Sequence, residues 1–136
     1  QELIKGILDN KATWVNSDSA EKQITLQDIL IITPYNAQVL EIQKRLPEAR
    51  VGTVDKFQGQ EAPIAIYSMA TSSHADAPRG MEFLYSLNRL NVATSRAKCL
   101  SFLVAAPKVF EMECRTPHQM RLANAFCRYL EMAKNN

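Results

Sequence analysis

The sequence predicts an α/β domain built on a buried, mainly parallel central sheet, with helices in the layers on either side. Two observations carry that expectation. Four short apolar runs, "ILIIT" (29–33), "VGTV" (51–54), "PIAIYSMA" (63–70) and "LSFLVAA" (100–106), lack the polar alternation of strands with one solvated face. Between them lie stretches whose apolar residues recur at helical spacing, so strand and helix alternate along the chain. In such a sheet, ligands are expected at the carboxyl ends of the strands.

Taken in order, "QELIKGILDN" opens already in a helical pattern and without an initiator Met, the start expected of a piece of a longer polypeptide. "NSDSAEKQ" (16–23) has loop composition and leads to the first strand. Residues 36–46 carry Val39, Ile42 and Leu46 on one helical face and stop at Pro47. After the second and third strands comes a further loop, "TSSHADAPRG" (71–80). Residues 82–97 read as one crossover helix with Phe83, Leu84, Leu87 and Leu90 facing inward. A last amphipathic helix, 117–133, offers Met120, Ala123, Phe126, Cys127 and Leu130 for packing.

With 136 residues, the chain is expected to form a single domain, 1–136, large enough for its own core. A formal charge of +2 from 16 basic and 14 acidic residues excludes a protein that coats nucleic acid by charge alone, so any such contact must be local. Cys99, Cys114 and Cys127 are odd in number and fit neither a disulfide framework nor zinc spacing, and they read as reduced thiols, mostly in the core. No apolar stretch reaches the length of a membrane span and no signal peptide opens the chain, which predicts a cytoplasmic protein with no membrane contact. His74 and His118 stand far apart without carboxylates or thiols patterned around them and read as surface histidines, with no metal site.

Chemistry is expected in three polar turns. In "TPYNAQ" (33–38), Thr33 ends a strand, Pro34 and Tyr35 follow, and Asn36 is a candidate helix N-cap. The Tyr35 ring could stack on a base or simply pack on its own helix. In "TVDKFQGQE" (53–61), Asp55 and Gln58 have capping-box spacing, so a single helical turn is expected there, closed by Gly59. Its free N–H groups and the Thr53 hydroxyl suit a phosphate oxygen, although an ordinary capped turn needs the same residues. Glu61 suits sugar hydroxyls or a plain surface position at the start of a strand. In "NRLNVATSRA" (88–97), Arg89, Ala93 and Arg96 fall at i, i+4 and i+7, a face that either meets a polyphosphate or is merely solvated. Asn88 and Asn91, weak helix formers in its middle, favour the former.

The order of these turns carries more than any one of them. "DILIITPYNAQV", "VGTVDKFQGQEAPIAIYSM" and "LNRLNVATSRA" closely resemble the fourth, fifth and sixth motifs of superfamily 1 helicases, in the branch of the nonsense-decay and Okazaki-processing helicases. The wider run "DAPRGMEFLYSLNRLNVATSRAKCL" resembles bacterial members joined to a RecB-like nuclease. The resemblance implies a RecA-like three-layer fold and the second, C-terminal domain of a two-domain motor. It implies that Glu61 contacts the ATP ribose, with Gln58 and Gly59 alongside, and that Arg96 is the arginine finger, supported by Arg89. Thr33, Pro34, Tyr35, Asn36, Thr53 and Asp55 would then hold single-stranded nucleic acid, DNA in preference to RNA.

Two departures from the family pattern, Gln60 within "GQE" and Ser95 before Arg96, remove no group given a role. A phosphate loop, G-x-x-x-x-G-K followed by Ser or Thr, is absent from the chain. ATP and Mg²⁺ would therefore be held mainly by an N-terminal P-loop domain of the same polypeptide, and the isolated chain is expected to be inactive. Two other readings stand beside the motor: a binding module without an ATP cycle, and a RecA-like domain whose strand-end groups no longer serve. Arg96 together with Glu61 distinguishes them, because neither alternative needs a finger and a ribose-binding carboxylate.

Overall fold

A computed structural model of the chain describes residues 1–69, 71, 77 and 79–135. Helix α1 (Glu2–Asp9) leads into a small hairpin of β1 (Thr13–Val15) and β2 (Glu21–Gln23). The main sheet comprises β3 (Ile29–Ile32), β4 (Arg50–Gly52), β5 (Ala62–Ser68) and β6 (Ala97–Val104), in the spatial order β4-β3-β5-β6. Every pairing in it is parallel, so the mainly parallel sheet expected from the apolar runs is wholly parallel in its four strands.

Parallel neighbours need crossovers, and the crossovers supply the covering layers. Helix α2 (Asn36–Arg45) joins β3 to β4, while α3 (Gly80–Leu84) and α4 (Leu87–Ser95) lie between β5 and β6. Helix α5 (Pro117–Lys134) closes the chain. Successive side chains on a strand point to opposite faces, which splits the core in two. Ile29, Ile31, Val51, Ile64 and Ile66 pack with residues of α1 and α2, whereas Leu30, Ile32 and Tyr67 pack with Leu84, Leu90 and Phe126. All four residues of β3 are buried, as a strand covered on both faces requires. The result is the three-layer α/β architecture of a RecA-like domain.

Three segments differ from their sequence reading. The loop expected at 16–23 is largely a hairpin, with Thr13 opposite Gln23 and Val15 opposite Glu21. Asn16 Oδ1 accepts hydrogen bonds from the Asp18 and Ala20 amides at 3.1 and 2.9 Å, and Ser19 takes φ 59°. An asparagine doing a turn's hydrogen bonding is compatible with either a loop or a hairpin, so composition alone missed it.

The helix expected over 82–97 is two helices, because Tyr85 drops out of the helical run into the core. Its hydroxyl donates to the Val109 carbonyl, and its ring meets Phe126 edge-on at 5.2 Å. Burial also pushes the Tyr85 phenol well above the usual tyrosine range. Ser86 then turns extended, with ψ 116°, and α4 starts afresh.

On α5 the inward stripe is Leu122, Ala123 and Phe126, while Met120 is 57% exposed. The thiols are free, but Cys99 is exposed and Cys114 and Cys127 are half-buried, so they are not core residues. Residue 70, at the end of the third predicted strand, and residues 72–76 and 78 of the 71–80 loop, His74 among them, fall outside the described residues. Among the described residues no helix is long and apolar enough to cross a membrane.

Tyr85→Phe removes a buried donor and strands the Val109 carbonyl. It should lower stability by about 1–3 kcal/mol, read as a reduced urea midpoint with an unchanged slope.

Candidate functional site

The strand directions sort the candidate residues into two groups. Thr33 and Thr53 follow β3 and β4 and so stand at carboxyl ends of the sheet, whereas Glu61 and Arg96 immediately precede β5 and β6 and stand at amino ends. The expectation that all three turns lie at carboxyl ends is therefore corrected for these two residues. The reason is that residues 53–61 run from the carboxyl end of β4 to the amino end of β5, and α4 carries "NRLNVATSRA" the same way to the start of β6.

At the carboxyl end, Thr33 is fully buried and Pro34 is buried as well. The Thr33 hydroxyl donates to Gln38 Oε1, and Gln38 Nε2 donates to Ser68 Oγ at 3.0 Å. This polar chain ties the end of β3 to the end of β5 through the first turn of α2. Its hydroxyl being engaged inside, Thr33 is not presented to a ligand, and neither is Pro34. Asn36 is the first residue of α2 and not its cap, since Tyr35 occupies the cap position with extended backbone.

The Tyr35 ring stacks on Phe83 at 5.5 Å and 26°. The guanidinium of Arg89 lies 4.0 Å from the Phe83 ring centroid and that of Arg79 lies 5.0 Å away. Burial raises the Tyr35 pKa above its ordinary value, opposed by the two arginines. Behind this layer the Tyr67 hydroxyl is buried without a hydrogen-bond partner among the described residues. Burial holds the Tyr67 phenol far above the tyrosine range, again opposed by Arg89. Arg89 thus belongs to the aromatic cluster. Seven residues of helix separate it from Arg96 by about 10 Å along the axis, so the structure does not bring the two together.

The second turn is a single 3₁₀ turn, Val54–Phe57, with Thr53 at its start. No side chain caps it, so the capping box expected from Asp55 and Gln58 does not form; instead the Gln58 amide donates to the Asp55 carbonyl at 3.4 Å. Gly59 closes the turn at φ 77°, a left-handed conformation that glycine takes without strain. Gly52 has a different task. A Cβ there would lie 2.3 Å from Lys56 Cδ, and its absence lets Lys56 fold back to bond the Val51 carbonyl at 2.6 Å. Gln60 accepts from Arg50 at 2.9 Å and donates to the Lys56 carbonyl at 3.1 Å, which fixes the middle of "GQE" against β4.

Between this turn and the start of α4 opens a cleft of ≈ 280 Å³, lined by Val54, Asp55, Gln58, Ser86, Asn88, Arg89 and Val92. The sequence placed Asp55 and Gln58 apart from Arg89; the fold brings them together.

At the amino end, the Ala62 amide donates to the Arg96 carbonyl at 3.0 Å, so Glu61 and Arg96 are held side by side. Ala62 pairs with Ala97 and Ile64 with Leu100, which leaves one extra residue in β6, a bulge beside this pair. Arg96 Nε donates to the Val92 carbonyl at 3.3 Å. Glu61 faces Lys98 at 3.8 Å, but both side chains are half exposed, so the pair is worth at most about 1 kcal/mol and is readily exchanged for a ligand. Among the described residues no group of three or more His, Cys, Asp or Glu could hold a metal ion.

Sequence reasoning missed Gln38, Ser68, Arg79, Phe83 and Lys98. Phe83 fits a helix-core stripe as well as a stacking position, and Gln38 makes its contacts only once β3 and β5 lie side by side.

Comparison with known proteins matches these residues to one family. The profile described as AAA domain matches residues 8–108. The chain is similar to DNA polymerase alpha-associated DNA helicase A of Schizosaccharomyces pombe, 40% identical over 82 residues, covering 57% of this chain and 12% of that protein. It is 34% identical over 99 residues to RNA helicase Mov10l1 of Mus musculus, covering 67% of this chain and 8% of that one. With the DNA replication ATP-dependent helicase/nuclease JHS1 of Arabidopsis thaliana it shares 33% identity over 100 residues, covering 72% of this chain and 7% of the relative. The chain thus spans between 7% and 12% of the length of these three relatives.

Gln38→Leu breaks the Thr33–Gln38–Ser68 chain and leaves a buried hydroxyl unpaired. A loss of about 1–3 kcal/mol is expected from chemical denaturation, against a few tenths for Gln43→Leu on the same helix.

Proposed function

The chain belongs to the AAA domain family, and from that premise we propose that it is the second, C-terminal RecA-like motor domain of an ATP-dependent superfamily 1 helicase. The observation that supports this most is the pairing of Glu61 with Arg96 on adjacent strand starts, joined by the Ala62 amide and the Arg96 carbonyl.

In this reading ATP supplies the phosphoryl group whose transfer to water drives the cycle. Its phosphate cradle and its Mg²⁺ ligands lie in an N-terminal P-loop domain of the same polypeptide, a reading supported by the lack of a P-loop motif in this chain and of a cluster of three or more metal-ligating side chains among the described residues. What this chain offers is an edge. The Glu61 carboxylate accepts from ribose hydroxyls after releasing Lys98, with Gln58 and Gly59 in the turn before it. The Arg96 guanidinium, steadied through Nε, presents its remaining N–H groups to the γ-phosphate as the arginine finger. A donor fixed there before the reaction costs no reorganisation when charge develops, which is why such a finger is worth about 10³–10⁵ in turnover.

The strand lies at the other end of the sheet, on Tyr35, Asn36 and Thr53, with Thr33 and Pro34 fixing the turn from beneath. Single-stranded DNA is the preferred ligand over RNA, and the protein works in the cytoplasm. A RecB-like nuclease fused to the motor completes the reading. Closure of two domains around ATP would then pull on one end of this sheet while the other end grips the strand.

Joined to its P-loop domain, Arg96→Ala should lose at least about 10³-fold in strand-stimulated ATP hydrolysis while nucleotide binding persists. Unchanged turnover would overturn Arg96 as the finger, whereas no strand-stimulated hydrolysis in the native protein would favour a module that holds nucleic acid without an ATP cycle. For the chain alone, weak single-strand binding should show a log–log salt slope near −1.4 to −2.1, from about two to three phosphate contacts at ~0.7 each. A slope near zero would remove the backbone contacts.

A further inference from the structure

The cleft between the Val54–Phe57 turn and the start of α4 includes neither Glu61 nor Arg96, although it shares Gln58 with the turn before them. Its ≈ 280 Å³ lies just under the ~300–1,000 Å³ of sites for drug-sized ligands, so it has room for about one base and not for a nucleoside triphosphate. Val54 and Val92 give it apolar walls, while Asp55, Gln58 and Asn88 bring polar groups to its lining. An ionised Asp55 can only accept hydrogen bonds, whereas the two amides can both donate and accept. None of these three side chains carries a hydrogen bond or ion pair among the described residues.

Asp55 is the informative member. A carboxylate repels a phosphate, and Asp55, exposed while lining the cleft, is an acceptor open to a donor group of a ligand. Arg89 brings the opposite charge, suited to a phosphate, its guanidinium held over Phe83 while lining the same cleft.

We propose that this cleft takes a single base of the bound strand and favours bases with an exocyclic amine, cytosine or adenine, over thymine or uracil. Asp55 accepts from the amine, Gln58 and Asn88 meet the rest of the base edge, and Arg89 meets the adjoining phosphate. Thymine would set its O4 acceptor against the carboxylate, a mismatch that discriminates by repulsion. The inference rests on the strand-holding reading above, and it makes Asp55 a base-reading residue where a backbone contact was expected.

The test is fluorescence anisotropy of the chain with labelled oligo-dC and oligo-dT of equal length at one fixed salt concentration, repeated with Asp55→Asn and Arg89→Ala. Oligo-dC should bind more tightly than oligo-dT by about fivefold or more, the low end of what one base-edge contact discriminates. Asp55→Asn should bring the two affinities close to equality, and Arg89→Ala should weaken both alike and flatten the salt slope by ~0.7. Asp55 is exposed, so its substitution leaves the core intact.

Equal affinities in the native chain, with the salt slope retained, would overturn base reading and leave strand holding in place. A rise in affinity for both oligonucleotides alike in Asp55→Asn would also overturn it, by reducing the carboxylate to a repulsive bystander. No binding to either strand would remove both readings together.

Discussion

Burial of β3 and β5 on both faces is the constraint on which the other features depend. A parallel strand cannot be reached by a tight hairpin, so each step across the sheet requires a crossover, through α2, through the segment holding the Val54–Phe57 turn, or through α3 and α4. Those helices cover the faces, and they also dictate which end of the sheet each turn occupies. Residues adjacent in sequence are thereby sent apart, as Arg89 and Arg96 are along α4. Residues distant in sequence meet, as Glu61 and Arg96 do through a main-chain bond between Ala62 and Arg96.

Much of this architecture is legible in the chain. "ILIIT" and "PIAIYSM" declare buried strands because their apolar residues run on without polar alternation, and Pro47 marks where α2 must already have ended. The break at Tyr85 is not legible, since the force that makes it comes from Val109 and Phe126, more than 20 residues away in sequence. The hairpin at 13–23 escapes for a different reason: only Trp14 of β1 turns inward, too little to mark a period.

For the site the division is similar. Thr33, Thr53, Glu61 and Arg96 are visible because residue type and motif order single them out. Whether each is presented or engaged is a matter of three dimensions. Thr33 looks like a ligand-facing hydroxyl until its partner Gln38 is placed, and Arg89 looks like a companion to Arg96 until Phe83 comes up beneath it. The capping box at Asp55 fails because the turn begins two residues earlier than the spacing suggests, which frees Asp55 and Gln58 to line the cleft.

The close approach of Lys56 to Gly52 bears on how the molecule behaves among its own copies. Carbonyls alternate in direction along a strand, and since Gly52 gives its oxygen to the Thr33 amide on β3, the Val51 oxygen points away from the sheet. Lys56 caps that oxygen with an ammonium group. An incoming chain seeking to extend the sheet at β4 would meet an acceptor already in use and a positive charge, one of the devices that keep edge strands from templating aggregation. The glycine of "VGTV", by making room for that lysine, therefore also guards the solubility of the fold.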